Sequence, residues 1–437
     1  MKKEIIKRVI YSTTDEVMAM LKRESAVTDQ LLSLAAGVFK DVGERGDKAV
    51  REYTGKYDGV EISGFRVTEE MMDRAESEIP ADLKRAIAVA ASNIEKFHSA
   101  QKIPTTVTET MPGVKCWQRQ VPVNRVGLYI PGGRAPLFST VLMLAVPALI
   151  AGCREIVLAT PPGRNGIPHP AILYAARVAG VKTLYRVGGI QAIAAMALGT
   201  ETIPAVNKIF GPGNSYVTAA KQYASALGVA VDLPAGPSEV MVVADSSANP
   251  RFVAADMLSQ AEHGPDSQSV LVTTSASFAD AVYAETERQL ETLPERETAL
   301  SSLAGSAIVV VPGEKEMLEV VNSYAPEHLI LQVPDAAALA IKVESAGSVF
   351  IGPWSPESAG DYASGTNHTL PTNGFAAGWS GVTLDSFMKR ITYQEITASG
   401  LSALSETITV MARAESLEGH ARAVDVRMES LNDPTNK

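Results

Sequence analysis

Cysteine is scarce: Cys116 and Cys153 are the two thiols in 437 residues. That count excludes a disulfide scaffold. Both lie near apolar runs, so buried thiols are expected. An excess of positive charge is also missing. Lys and Arg number 39 against 49 Asp and Glu, a net charge of −10, which argues against nucleic acid or an anionic membrane surface as partner. No hydrophobic run is long: the most apolar stretch, residues 138–150, is too short to cross a bilayer. The opening MKKEIIKRVIYSTTDEV has neither the apolar core nor the cleavage site of a secretory signal. The dinucleotide fingerprint G-x-G-x-x-G is absent as well, because position 216, after Gly211 and Gly213, is Tyr. What is present, 46% apolar and 20% charged residues, predicts a soluble, cytoplasmic, folded chain with a large core.

Residues 1 to about 110 read as helices, with Thr13 and Glu16 at capping-box spacing ahead of EVMAMLKRE. His98 falls there beside Lys96 and is expected to be solvated. From about residue 119 short β-rich runs alternate with helical runs, which implies a mostly parallel sheet with helices on its faces. A second alternating block starts at EVMVVAD, and the two meet at the hinge Leu233-Pro234-Ala235-Gly236-Pro237. We therefore expect an α/β fold with two parallel-sheet domains, a helical N-terminal region and a small helical C-terminal tail. The boundaries are drawn as an arm over 1–25, one α/β domain over 26–118 and 236–380, a second over 119–235, and a tail over 381–437. After residue 352 a long Gly- and Pro-punctuated segment reads as a functional loop. The tail from about Leu401 to Leu431 reads as helix interrupted at Gly419.

Several residues can carry chemistry. Gln260 and His263 are three apart at the end of a helix stopped by Gly264-Pro265, so both can reach one point. Glu327 and His328 adjoin at the start of an apolar strand after Pro326, a carboxylate and an imidazole suited to moving protons. A polar helix end and a surface turn account equally well for these two segments. Asp361 and His368 lie among glycines in GDYASGTNHTLPT, and Glu415 and His420 lie near the C-terminus. Gln260, His263, Asp361 and His420 together make an N/O ligand set without thiolates, which suits zinc or another first-row metal. His169, between Pro168 and Pro170, reads as structural.

Three Gly-rich pieces each follow a β-like run and precede a helix: Tyr129-Ile130-Pro131-Gly132-Gly133, Gly188-Gly189-Ile190-Gln191 and Gly211-Pro212-Gly213-Asn214. Backbone amides and a helix N-terminus can hold anionic groups there, and tight turns packing an α/β sheet explain the same glycines.

These segments resemble histidinol dehydrogenases. The resemblance runs through YIPGG, GGIQAIA, GPGNSYV, DLPAGPSEV, SQAEHG, YAPEHL, GDYASGTNHTLPT and LEGHARAVDVR, from about residue 25 to 430. It implies a zinc-containing, NAD-dependent enzyme that oxidises L-histidinol to L-histidine through the aldehyde, and a homodimer of intertwined subunits whose tail swaps. It further implies Gln260, His263, Asp361 and His420 as zinc ligands, with His420 supplied across the dimer, and Glu327 and His328 as the acid/base pair. Tyr129, Gln191 and Asn214 would contact NAD. Ser238, His368 and Glu415 would contact substrate together with His328 and the ligand residues.

Overall fold

The computed structural model describes residues 4–23, 27–132, 136–234 and 236–433. Gly133 of the first Gly-rich piece, Ala235 of the hinge and the end of the expected arm at residue 25 lie outside them. The chain divides into two compact units, residues 1–101 with 123–387, and residues 102–122 with 388–437.

The larger unit holds two parallel sheets, as the alternating pattern predicts. One has six strands in the order Lys7–Ile10, Ala307–Val310, Gln268–Thr273, Glu239–Ala244, His328–Gln332, Ser348–Ile351. Its central strands Glu239–Ala244 and Gln268–Thr273 are buried at every position. They read as continuous rather than alternating apolar runs because helices cover both faces. One face packs on Val253, Met257 and Leu258, the other on Val17, Met317 and Val320. The second sheet has five strands in the order Thr183–Arg186, Glu155–Thr160, Arg125–Tyr129, Lys208–Phe210, Ala230–Val231. Chain order reverses between Arg125–Tyr129 and Lys208–Phe210, the kind of switch point where open α/β sheets bind ligands beyond their C-terminal strand ends.

Local signals explain several boundaries. Thr13 accepts from the Glu16 amide at 3.3 Å, the backbone half of the expected capping box. His169 caps the helix Pro170–Val178 by accepting from the Ala171 amide at 3.2 Å, in keeping with a structural role. The apolar stretch forms the buried helix Phe138–Ala151. Among the described residues no helix is long and apolar enough to cross a membrane.

Four expectations change. The first 110 residues are not all helical: Lys7–Ile10 pairs in parallel with Ala307–Val310, a tertiary pairing that no local periodicity reveals. Part of the segment after residue 352 is helix, over Glu357–Tyr362. His98 is fully buried, its Nδ1 donating to the Ile94 carbonyl at 2.9 Å. Finally, Gly419 does not break the tail. Helix Ala398–Ala414 ends at Glu415, Ser416 takes a φ of 60°, and helix Glu418–Asn432 follows with Gly419 in its first turn. Cys153 is buried and Cys116 half-buried, both as free thiols.

The smaller unit pairs Val114–Pro122 antiparallel with Met388–Ile396 on one side and Val107–Met111 on the other, and carries the two tail helices.

Candidate active site

Helix Glu314–Tyr324 stops at Ala325, which takes the left-handed conformation, and Pro326 then starts a new direction. The next two residues are Glu327 and His328, and His328 opens a strand in register with Val240. Glu327 therefore runs beside Glu239. Its Oε2 accepts from the Ser238 hydroxyl at 2.7 Å and from the Glu239 amide at 2.9 Å. Burial pushes this carboxyl up to about 7, against the pull of the neighbouring His328 charge and these two donors. His328 Nδ1 donates to the Glu239 carbonyl at 3.2 Å, leaving Nε2 aimed at Asp361 Oδ1 at 3.6 Å. Burial disfavours a charge on His328. Glu327, Glu357 and Asp361 outweigh that and raise it to about 10.

The candidate ligand residues converge in part. Gln260 is fully buried in the last turn of helix Pro250–Ala261, its Oε1 3.5 Å from the Ser238 hydroxyl and its Nε2 without a partner. His263 follows two residues beyond the helix end and faces solvent. Asp361 lies on the short helix Glu357–Tyr362 rather than on an open loop. Burial works against its charge, but the hydrogen bond and charge of His328 lower its pKa. One member was not foreseen: ligand atoms of His263, Glu357 and Asp361 all lie within 4.8 Å of one another. Glu357 is four residues before Asp361, so the two share a helix face, a spacing the sequence offered. Its carboxyl is buried and pushed up to about 8 by that burial.

His368 Nδ1 donates to the Asp361 carbonyl at 2.9 Å, and its Nε2 meets Thr140 Oγ1 at 3.1 Å. Ser238, His263, Glu327, His328, Asp361 and His368 line one cleft of about 190 Å³. Glu415 and His420 belong to the smaller unit, where both are exposed, Glu415 at the end of one tail helix and His420 in the first turn of the next.

The same cleft reaches Gly211 and Gly213 at the switch point of the five-stranded sheet. Gly211 has a φ of 127°, donates to Asp232 Oδ2 at 2.7 Å and accepts from Lys221 Nζ at 2.9 Å. Lys221 and Asp232, themselves a buried ion pair, thus clamp this turn. Asn214 caps helix Ser215–Ala226 by accepting from the Val217 amide at 3.2 Å. Tyr129 ends its strand buried, its hydroxyl accepting from the Gly189 amide at 3.1 Å and pushed up to about 12 by burial. Gln191 is fully buried, donates to Asp58 Oδ2 at 3.4 Å and leaves its Oε1 without a partner. Burial pushes Asp58 up to about 6. Tyr129, Gln191 and Asn214 therefore sit along one sheet's C-terminal edge. Asp58, Lys221 and Asp232 join them without any motif that marks them in sequence.

The family profile of histidinol dehydrogenase matches residues 21–428. A histidinol dehydrogenase of Bacteroides fragilis is 55% identical over 426 residues, 98% of this chain and 100% of that protein. The Escherichia coli K12 histidinol dehydrogenase is 50% identical over 424 residues, 96% and 97% of the two chains. The crystal structure of histidinol dehydrogenase from Elizabethkingia anophelis superposes with a TM-score of 0.97 at 48% identity, covering 99% of this chain and 100% of that one. With a buried Glu-His pair beside a His/carboxylate cluster, and likeness on this scale across nearly its whole length, the chain is an enzyme that belongs to the histidinol dehydrogenase family.

Proposed function

We propose that the protein oxidises L-histidinol to L-histidine through L-histidinal, with NAD as oxidant and zinc positioning the substrate, as a cytoplasmic homodimer. The observation that carries this reading is the pairing of Glu327 and His328 on the N–H and C=O of Glu239, inside the cleft that holds His263 and Asp361. Gln260, His263 and Asp361 would hold the zinc, completed by His420 of the partner subunit. The amide oxygen of Gln260, the imidazole of His263 and the carboxylate of Asp361, with the 4.8 Å cluster of His263, Glu357 and Asp361, fit a dication of borderline hardness. Bound zinc would anchor substrate nitrogens and offset the carboxylate charge that keeps a proton on His328.

The α/β domain over 119–235 would bind NAD through Tyr129, Gln191 and Asn214, and the one over 26–118 and 236–380 would carry the acid/base chemistry. The partnerless Gln191 Oε1 at the sheet's C-terminal edge fits a hydrogen-bonding cofactor amide or hydroxyl. Bound NAD would accept hydride from the carbinol carbon and then from the hydrated aldehyde.

The protein's own groups do the rest. His328 Nδ1 is committed to the Glu239 carbonyl, so Nε2 is the atom that takes the carbinol proton. Both protein donors on Glu327 go to Oε2, so Oε1 is left to take a proton from the water that hydrates the aldehyde. Ser238 and His368 would contact substrate from the cleft wall, with Glu415 of the partner subunit closing it. The test is turnover with L-histidinol and NAD, counting NADH. Two NADH per histidine formed is the expected result; no NADH at all overturns the proposal, and one per substrate limits it to the first oxidation.

A further inference from the structure

Arg23 lies near the N-terminus, far in sequence from the candidate site residues, yet its guanidinium reaches the residues that carry the acid/base pair. Its Nη1 pairs with Glu239 Oε2 at 2.5 Å, with the two side chains 17% and 1% exposed. Its Nη2 donates to the Tyr324 carbonyl at 2.8 Å, and its Cζ stands 3.9 Å over the Tyr324 ring. The Tyr324 hydroxyl in turn donates to Gln268 Oε1 at 2.7 Å. Arg23 thus ties together the first residue of strand Glu239–Ala244 and the last residue of helix Glu314–Tyr324. Those two points flank the acid/base pair from both sides: Glu327 is three residues beyond Tyr324, and Glu239 supplies the amide that holds Glu327 and the carbonyl that holds His328.

We propose that Arg23 is a positioning residue for the reaction, fixing Glu327 and His328 through the backbone of Glu239 and the end of the Tyr324 helix. A buried carboxylate such as Glu239 is costly unless paired, and a planar guanidinium can serve it and a carbonyl at once where an ammonium serves them less well. A pair of this kind adds little net stability compared with apolar neighbours, so its use lies in specifying geometry. Displacing a reacting group by about 1 Å can cost on the order of 100-fold in rate. The anchor matters at that scale because Glu327 and His328 both hang on one residue's N–H and C=O.

This inference rests on the acid/base reading of Glu327 and His328, and its test separates the two. The full zinc-loaded chain is compared with Arg23→Met, Arg23→Lys and the double variant Arg23→Met/Glu239→Gln. Arg23→Met should lower kcat about 100-fold and also lower the melting temperature, because the buried Glu239 carboxylate loses its counter-charge. The double variant removes both charges, so its melting temperature should return near that of the parent while kcat stays at least about tenfold down and the KM for L-histidinol stays within about threefold. Arg23→Lys should regain at least about tenfold of the kcat lost in Arg23→Met. The amide at position 239 should exchange with solvent at least about tenfold faster in the double variant. A stable double variant with parental kcat overturns the proposal, as does an Arg23→Lys protein that folds but turns over no faster than Arg23→Met. If the double variant does not fold, the Lys and Met variants decide. If the parent chain forms no NADH from L-histidinol, the functional reading fails by itself, and exchange at position 239 in Arg23→Lys and Arg23→Met still decides whether Arg23 holds that amide.

Discussion

Ser238 donates its hydroxyl to Glu327 at 2.7 Å and stands 3.5 Å from Gln260 Oε1, so one small side chain bridges the proposed base and the ligand set. A hydrogen bond to the charged form lowers a carboxyl pKa. Glu327, pushed up to about 7 by burial, must be ionised to accept a proton from water, so oxidation of added L-histidinal should rise with pH through about 7. Ser238→Ala removes a donor and should move that limb to higher pH. A limb that stays put or moves to lower pH in the variant would show that Ser238 does not tune Glu327.

Replacing Glu327 and His328 should separate the two oxidations. Glu327→Gln keeps the shape but cannot take a proton from water, so the aldehyde-to-acid step should fall by about 100-fold or more. His328→Asn should slow both steps, since each hydride transfer needs a proton removed. Stopped-flow rates with L-histidinol and with L-histidinal distinguish them. Oxidation of L-histidinal by Glu327→Gln at the parental rate contradicts the roles.

Metal removal tests the ligand set. Chelation should abolish turnover and added zinc should restore it, while the far-UV circular dichroism persists because both parallel sheets have cores that need no ion. Full turnover by a preparation verified as metal-free by elemental analysis is the contrary result.

Much of this was readable from the chain because the informative signals are local. Gln260 and His263 share a helix end, Glu327-His328 starts a strand, and short β-rich runs alternating with helical ones marked both parallel sheets. The failures come from pairing across the fold. Strand Lys7–Ile10 exists because Ala307–Val310 offers an edge, and Arg23, Asp58 and Lys221 acquire meaning only from carboxylates or amides distant in sequence. His98 is a different case: it continues the buried stripe Ile87, Ala90, Ile94 at helical spacing, so periodicity argued for burial and the charged neighbour Lys96 misled.

Gly211 gives a sharp backbone test. Its φ of 127° is one that side-chain-bearing residues rarely adopt, and a Cβ there would strike the Tyr129 carbonyl. Gly211→Ala should cost on the order of 1–3 kcal/mol in stability and raise the KM for NAD more than that for L-histidinol, because the displaced turn carries Asn214. An unchanged melting temperature would mean the turn relaxes without strain.

The dimer proposal makes the strictest demand. Helix Ala398–Ala414 leaves Val410 and Met411 exposed, and the exposed His420 follows on the next helix. An apolar face of this kind needs another surface, which we assign to the partner subunit of an isologous dimer. His263→Ala and His420→Ala should each be nearly inactive as homodimers. Unfolded and refolded together, they should form mixed dimers in about half of the pairings, in which one site carries both defects and the other carries none. Activity should therefore return to about a quarter of the parental value. If His420 serves its own chain, every site in the mixture lacks one ligand and no activity returns.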